Sequence, residues 1–141
     1  MPLRLYDATS EASLDAKTAL ADGGTVQLRT GSQPANNGAL TGTLILEYTL
    51  ANPAFPGSSA DGTSCTVTAN GLPLNDDALA AHDFAVSGYG AILDSGAGVI
   101  LTGDVGAVGS GEEFELADLS PGLGDTVALT AINVAEGQLG A

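Results

Sequence analysis

Past Arg29 the chain contains no lysine or arginine, while acidic residues continue to Glu136. Arg4, Lys17 and Arg29 are the whole cationic complement against 17 carboxylates, giving a formal charge of −14 over 141 residues. Without a cluster of cations there is no electrostatic footprint for phosphate, nucleic acid or an anionic membrane. Tryptophan is absent and the aromatics are limited to Tyr6, Tyr48, Phe55, Phe84, Tyr89 and Phe114, so the core has to be built mainly from Leu, Val and Ile. Cys65 is single, which excludes an intrachain disulfide; within the alternating stretch Cys65, Val67, Ala69 it reads as a small core residue. His82 is single as well, leaving neither a Cys/His zinc set nor a His-paired nucleophile. No run approaches the ~20 apolar residues of a membrane span, and the N-terminus lacks the basic start and apolar block of a signal peptide. These absences predict a protein of a soluble compartment, with no nucleic-acid and no membrane partner.

The length suits one domain with one core. Met1-Pro-Leu-Arg-Leu-Tyr6 reads as an extended arm or an edge strand, and the chain is expected to divide into an arm over residues 1–9 and a single β-rich domain over residues 10–141. Ser10 is placed to cap a helix over Glu11–Ala21, with Glu11 and Asp15 in its early turns and Gly23-Gly24 ending it.

Everything after that helix alternates with period two between turn-rich separators. Val26, Leu28 and Thr30 alternate with Gln27 and Arg29, and Leu44, Leu46, Tyr48 and Leu50 with Thr43, Glu47 and Thr49. Further strands are predicted over Ser64–Ala69, Asp83–Leu93, Val99–Thr102, Glu113–Leu116 and Thr126–Val134, with one helical turn in Asn75–Ala81. The separators, such as Gly31–Gly42, Asn52–Gly62 and Gly103–Gly111, are rich in Gly, Pro, Asn, Asp and Ser. Strands of this number and spacing, with a helix only at the front, predict a mainly β fold: an antiparallel β-sandwich or jelly roll with one short N-terminal helix.

The sharpest chemical signal is Ile92-Leu93-Asp94-Ser95-Gly96-Ala97, the pattern around the catalytic aspartate of retroviral-type aspartic proteases. One such motif per chain requires a symmetric dimer to supply the second carboxylate. Asp94 nevertheless lies two-thirds of the way along, leaving too little chain for a flap and a later apolar–Gly segment, and Asp-Ser-Gly-Ala-Gly between apolar runs is what a tight hairpin needs. The glycine-rich stretch Gly103–Gly111 has no following Lys-Ser/Thr and no helix behind it, so it reads as a surface loop rather than a phosphate cradle. The acids Asp76-Asp77, Asp83, Asp94, Asp104, Glu112-Glu113, Glu115, Asp118 and Asp125 lack the spacing of an EF-hand and read as a solvated face. The expectation is therefore no catalytic, cofactor-binding or metal-ligating residues, with a dimeric aspartic peptidase as the enzyme alternative.

Taken as an ordered series, the segments resemble a family of small virion proteins of tailed bacteriophages. The matching pieces are the opening helix, Val26-Gln-Leu-Arg-Thr-Gly-Ser-Gln-Pro34, Gly42-Thr-Leu-Ile-Leu-Glu-Tyr-Thr-Leu-Ala-Asn-Pro-Ala-Phe55, Ile92-Leu-Asp-Ser-Gly-Ala-Gly-Val99, Gly103-Asp-Val-Gly106 and Gly124-Asp-Thr-Val-Ala-Leu-Thr-Ala-Ile-Asn133. The chain departs from that family at Ala81–Ser87, where His82-Asp-Phe-Ala-Val86 replaces an aromatic-plus-arginine strand.

The resemblance implies a structural component made in a bacterial host cytoplasm. Its expected place is the outer capsid surface, as a decoration (cement) protein, with a tail, neck or fibre-base position as the alternative. Its expected partners are the major capsid protein and further copies of itself, a homotrimer first among the arrangements. On this reading Pro2, Leu3, Arg4, Leu5 and Tyr6 form a capsid contact arm reaching across a subunit boundary.

Overall fold

The computed structural model describes residues 5–137. One helix, α1 (Asp7–Ala19), precedes ten strands: β1 (Thr25–Arg29), β2 (Leu44–Thr49), β3 (Ser59–Ala60), β4 (Ser64–Thr68), β5 (Leu74–Asp77), β6 (Tyr89–Leu93), β7 (Val99–Gly103), β8 (Val105–Ala107), β9 (Phe114–Leu116) and β10 (Thr126–Gly137). They form two sheets, one ordered β2-β1-β6-β7 and the other β3-β4-β10-β9-β8, with β5 added to β10. The long β10 runs between β5 and β9 in its first half and pairs with β4 in its second. All pairings are antiparallel except β8 with β9. The chain is thus mainly β, a two-sheet sandwich with one short N-terminal helix, as the periodicity predicts.

Period two accounts for the first sheet directly. Val26 and Leu28 on β1 stand opposite Tyr48 and Leu46 on β2, and opposite Ile92 and Gly90 on β6. These side chains turn inward and are all but inaccessible, while Gln27 on the other face donates to Glu47 at 2.8 Å. Removing each Leu, Val or Ile side chain from water contributes about 1.5–3 kcal/mol. Opposing layers come from Phe114, Leu116, Val127, Leu129 and Ile132 of the second sheet. Strand β6 is buried on both faces, and at its first residue the loop over residues 31–43 is tied to its outer side. There the Tyr89 hydroxyl donates to the Thr41 carbonyl at 2.7 Å and accepts from the Thr41 amide at 2.9 Å.

Several local expectations are corrected. The helix begins at Asp7 rather than after Ser10: Tyr6 is its N-cap residue, in extended conformation, and the Tyr6 carbonyl accepts from the Thr9 and Ser10 amides, both at 3.0 Å. Asp7 then places a negative charge in the first turn, favourable against the helix dipole. Ser10 turns into the core instead of capping. Glu11 and Asp15 spend their carboxylates on neighbouring chain, accepting from the Ala60 amide at 3.0 Å and the Ser58 amide at 2.8 Å. The extended arm consequently loses residues 7–9 to the helix. Leu5 is half-buried and Tyr6 is exposed, whereas Pro2, Leu3 and Arg4 lie outside the described residues.

The stretch expected to hold a helical turn in Asn75–Ala81 instead contributes β5, in register with Thr126–Leu129 of β10. Tertiary pairing overrides weak strand propensity here, assisted by Asp76, whose carboxylate accepts from the Glu47 amide at 2.8 Å. Val105–Ala107, expected to be loop, forms β8. The strand expected over Asp83–Leu93 begins only at Tyr89, because Asp83 organises a turn: its Oδ1 accepts from the Ala85 amide at 2.9 Å.

Candidate functional site

The two sheets part along one side of the sandwich. Strand β7 ends the first sheet, and β9 accompanies β10 only as far as Ile132, so Val134–Glu136 border the second. Between these strands, with the C-terminal half of α1 beside them, lies a groove of about 740 Å³. Its walls include Leu14 of α1 and Leu20 just after it, Phe55, Ile100 and Leu101 of β7, and Val134 of β10. Asp94, Glu113 and Glu136 stand among the lining residues, and Lys17 forms an ion pair with Glu136.

Asp94 sits in the β6–β7 hairpin. Its Oδ1 accepts from the Gly96 amide at 2.9 Å and the Gly98 amide at 2.8 Å, and its amide donates to the Gly98 carbonyl at 2.8 Å. Ala97 adopts φ of +67° there. The carboxylate is committed to the backbone of its own turn, as the turn chemistry of the sequence anticipates.

The acids separate into distinct environments that linear spacing does not reveal. The parallel pairing of β8 with β9 brings Asp104, Glu112 and Glu113 together, with carboxylate oxygens within 4.8 Å of one another. An EF-hand criterion tests one contiguous loop and so misses this convergence across a strand pair. Asp104 accepts from Gln33 at 2.9 Å, and Glu113 accepts from the Asp104 amide at 3.3 Å, so part of the cluster's hydrogen-bonding capacity is spent internally. Glu115 is buried, and its two oxygens accept from the Gly109 amide at 2.8 Å, the Gly111 amide at 3.2 Å and Asn133 Nδ2 at 2.8 Å. Those donors, the Gly109 amide foremost, hold its carboxyl below the usual glutamate range against the opposing effect of burial. The turn after β8, expected as part of one loop over Gly103–Gly111, is therefore pinned from beneath.

His82 is also spent locally: Nε2 lies 2.8 Å from the Ser87 carbonyl, and its ring meets Phe84 edge-on at 4.8 Å. Cys65 is buried in the core, as its setting in the sequence predicts. Of the basic residues, Arg29 directs its guanidinium to Gln27 at 3.0 Å and the Gly42 carbonyl at 3.3 Å. Among the described residues no helix is long and apolar enough to cross a membrane.

Two of the segments singled out in the sequence have evident structural work. Asn52-Pro-Ala-Phe55 contains a cis Asn52–Pro53 peptide and drives Ala54 and Phe55 into the core. Gly103-Asp-Val-Gly106 is the corner where the chain leaves the first sheet and enters the second. At that corner, a Cβ on Gly103 would approach Glu113 Cβ at 2.7 Å, and one on Gly106 would approach Ser110 Oγ at 2.4 Å.

Compared with models of known families, with curated proteins and with solved structures, the chain matches none.

Proposed function

We propose that this protein is a structural component of a tailed-bacteriophage virion, a decoration protein that sits on the outer capsid surface and clamps neighbouring major capsid subunits. The observation that carries the reading is the pairing of an acidic, cation-poor sandwich with an apolar N-terminal sequence that leads into the exposed Tyr6. Tyr6 is 83 % exposed at the foot of α1 and follows Pro2-Leu-Arg-Leu5 directly in sequence. Such a segment extends a modest interface across a subunit boundary, while the acidic body opposes contact with packaged DNA through like charge. The ordered series of virion-like segments supports the same reading, and so does the commitment of Asp94 and His82 to their own turns.

The test is reconstitution on capsids that lack the protein. Full-length chain should occupy the shell and raise its resistance to heat, and deletion of residues 2–6 should reduce occupancy sharply, because many weak symmetric contacts act through avidity. Failure of full-length protein to bind the shell, together with binding to isolated necks or tails, would replace decoration with a neck or tail position. Equal occupancy by both forms would remove the arm from the interface.

A further inference from the structure

We propose that β7 is a docking edge for an extended segment of a partner protein, one in which apolar residues alternate along the strand and a lysine or arginine stands at each end. The surface is separate from the N-terminal sequence given to the capsid contact, and its test is independent of that reading.

The fold treats the two edges of the first sheet differently. Along β2 the outer main chain is occupied: the Glu47 amide donates to the Asp76 carboxylate at 2.8 Å, and the Ile45 carbonyl accepts from the Leu79 amide at 2.9 Å. Along β7, among the described residues, no strand pairs with the outer side and no loop lends it a main-chain hydrogen bond. Ile100 forms a bulge without a partner on β6, but the sequence Val99-Ile-Leu-Thr-Gly103 has neither the charge nor the proline that usually protects such an edge. An open edge of this kind accepts an added strand, whose main-chain hydrogen bonds supply affinity while pockets for alternate side chains supply specificity.

Such pockets flank β7 on both sides. One is the groove toward α1 and β10, with Leu14, Phe55 and Val134 among its walls. The other, of about 590 Å³, lies between β7 and Pro34–Gly38 and is bordered by Asn36 and Asn37. Successive side chains of a strand point to opposite faces, so a segment laid along β7 sends alternate residues toward the apolar groove and the rest toward the two asparagines. Val99 is 47 % exposed and Leu20, across the groove, 60 %, which leaves apolar surface for the segment to cover.

Charge sets the ends of the segment. Asp94 stands in the hairpin that leads into β7, its Oδ1 accepting from the Gly98 amide at 2.8 Å. At the other end Asp104 follows Gly103 directly, and Glu113 accepts from the Asp104 amide at 3.3 Å. Carboxylates thus stand at both ends of a strand that itself carries no charge, and a cation at each end of the incoming segment meets them. The same arrangement disfavours a second copy of this chain. Antiparallel pairing of β7 with its twin would set the Asp94 end of one chain against the Asp104 and Glu113 end of the other, and like charges facing each other across strands are destabilising. The two cations among the described residues are already engaged, Lys17 with Glu136 and Arg29 with Gln27 and Gly42.

The probe is the peptide Lys-Val-Thr-Val-Thr-Val-Lys, whose central five residues match the length of β7, titrated into the full-length chain and followed by amide hydrogen exchange. Exchange should slow within Val99–Gly103 on saturation, and affinity should fall as sodium chloride is raised. Replacing both lysines of the peptide by glutamate, or its valines by serine, should each weaken binding by at least ~10-fold. The protein variant Leu20→Lys/Val99→Lys, changed at two exposed positions, should weaken it likewise, whereas Val86→Lys, on an exposed loop outside the groove, should leave it unchanged. No binding, unchanged exchange within Val99–Gly103 at saturation, or equal binding of the serine peptide, which is charge attraction alone, would overturn the proposal. Two further results would overturn the assignment to a partner protein. Self-association of the wild type in sedimentation, abolished in Leu20→Lys/Val99→Lys, would give the edge to a second copy. Peptide binding only after removal of residues 138–141 would give it to the chain's own end.

Discussion

Gly90 lies directly beneath the ring of Phe114, so closely that a Cβ on Gly90 would come within 2.4 Å of ring carbon Cδ2. This is where the central strand of one sheet meets the other, and both residues are fully enclosed. Gly90→Ala should therefore destabilise by about 1–3 kcal/mol through overpacking. Urea unfolding is the measurement, and Phe114→Leu should lessen the cost of the alanine. A coupling of at least ~0.5 kcal/mol in that double-mutant cycle would establish the contact as the cause. An unchanged midpoint for Gly90→Ala would contradict the packing.

That contact also shows what a sequence discloses and what it withholds. The alternation of Val26 and Leu28 with Gln27 reveals a half-buried strand because burial itself has period two. Nothing local marks Gly90 as the seat of Phe114, since the two meet only after the sheets stack. Strand β5 stayed hidden for a similar reason: Leu74-Asn-Asp-Asp77 reads as turn, and its extended state comes from pairing with β10. The Asp94 hairpin was legible because Asp and Gly act on their own backbone within four residues. The groove was not, because its walls come from α1, β7 and β10, which are far apart in the chain.

Tyr48 crosses the same core, donating its hydroxyl to the Val127 carbonyl at 3.1 Å. Tyr48→Phe leaves that carbonyl short of a partner and should cost about 1 kcal/mol. Burial, reinforced by the nearby Asp76 charge, pushes the phenol pKa far up. The folded state thus keeps its proton where the unfolded state loses it. This contribution is complete below the unfolded value near ~10 and falls as pH rises beyond it. Alkaline unfolding curves should show a shallower loss for Tyr48→Phe than for wild type. Parallel curves would argue against an enclosed phenol.

Glu115 offers the opposite sign. Its carboxylate collects the Gly109 and Gly111 amides and Asn133, so Glu115→Gln, which keeps the shape but removes the charge, should destabilise by about 1–2 kcal/mol at neutral pH. A folded pKa below the unfolded one makes this contribution complete above the unfolded glutamate value of about 4.3, and it is lost as pH falls through the lower folded value. The stability gap between wild type and Glu115→Gln should close on acidification. Hydrogen exchange at Gly109 and Gly111 should quicken in the variant at neutral pH. A gap that persists at pH 2 would mean that packing, not charge, holds the loop.

The convergence of Asp104, Glu112 and Glu113 makes a sharper test of whether acids this close need a cation. Their oxygens lie within 4.8 Å of one another, and at neutral pH like charges at that spacing repel. The cluster's internal hydrogen bonds offset part of that repulsion: Gln33 donates to Asp104, and the Asp104 amide donates to Glu113. If those contacts suffice, the fold stands without metal, and chelation with EDTA should leave the melting temperature unchanged. Glu112→Gln should then stabilise by about 0.5 kcal/mol, the scale of surface charge interactions. Salt separates this explanation from a packing effect. At 0.1 M the screening length is about 10 Å and at 1 M about 3 Å, so added sodium chloride should raise the wild-type melting temperature more than that of the variant. A large fall in melting temperature with EDTA, abolished in Glu112→Gln, would instead make the cluster a structural cation site.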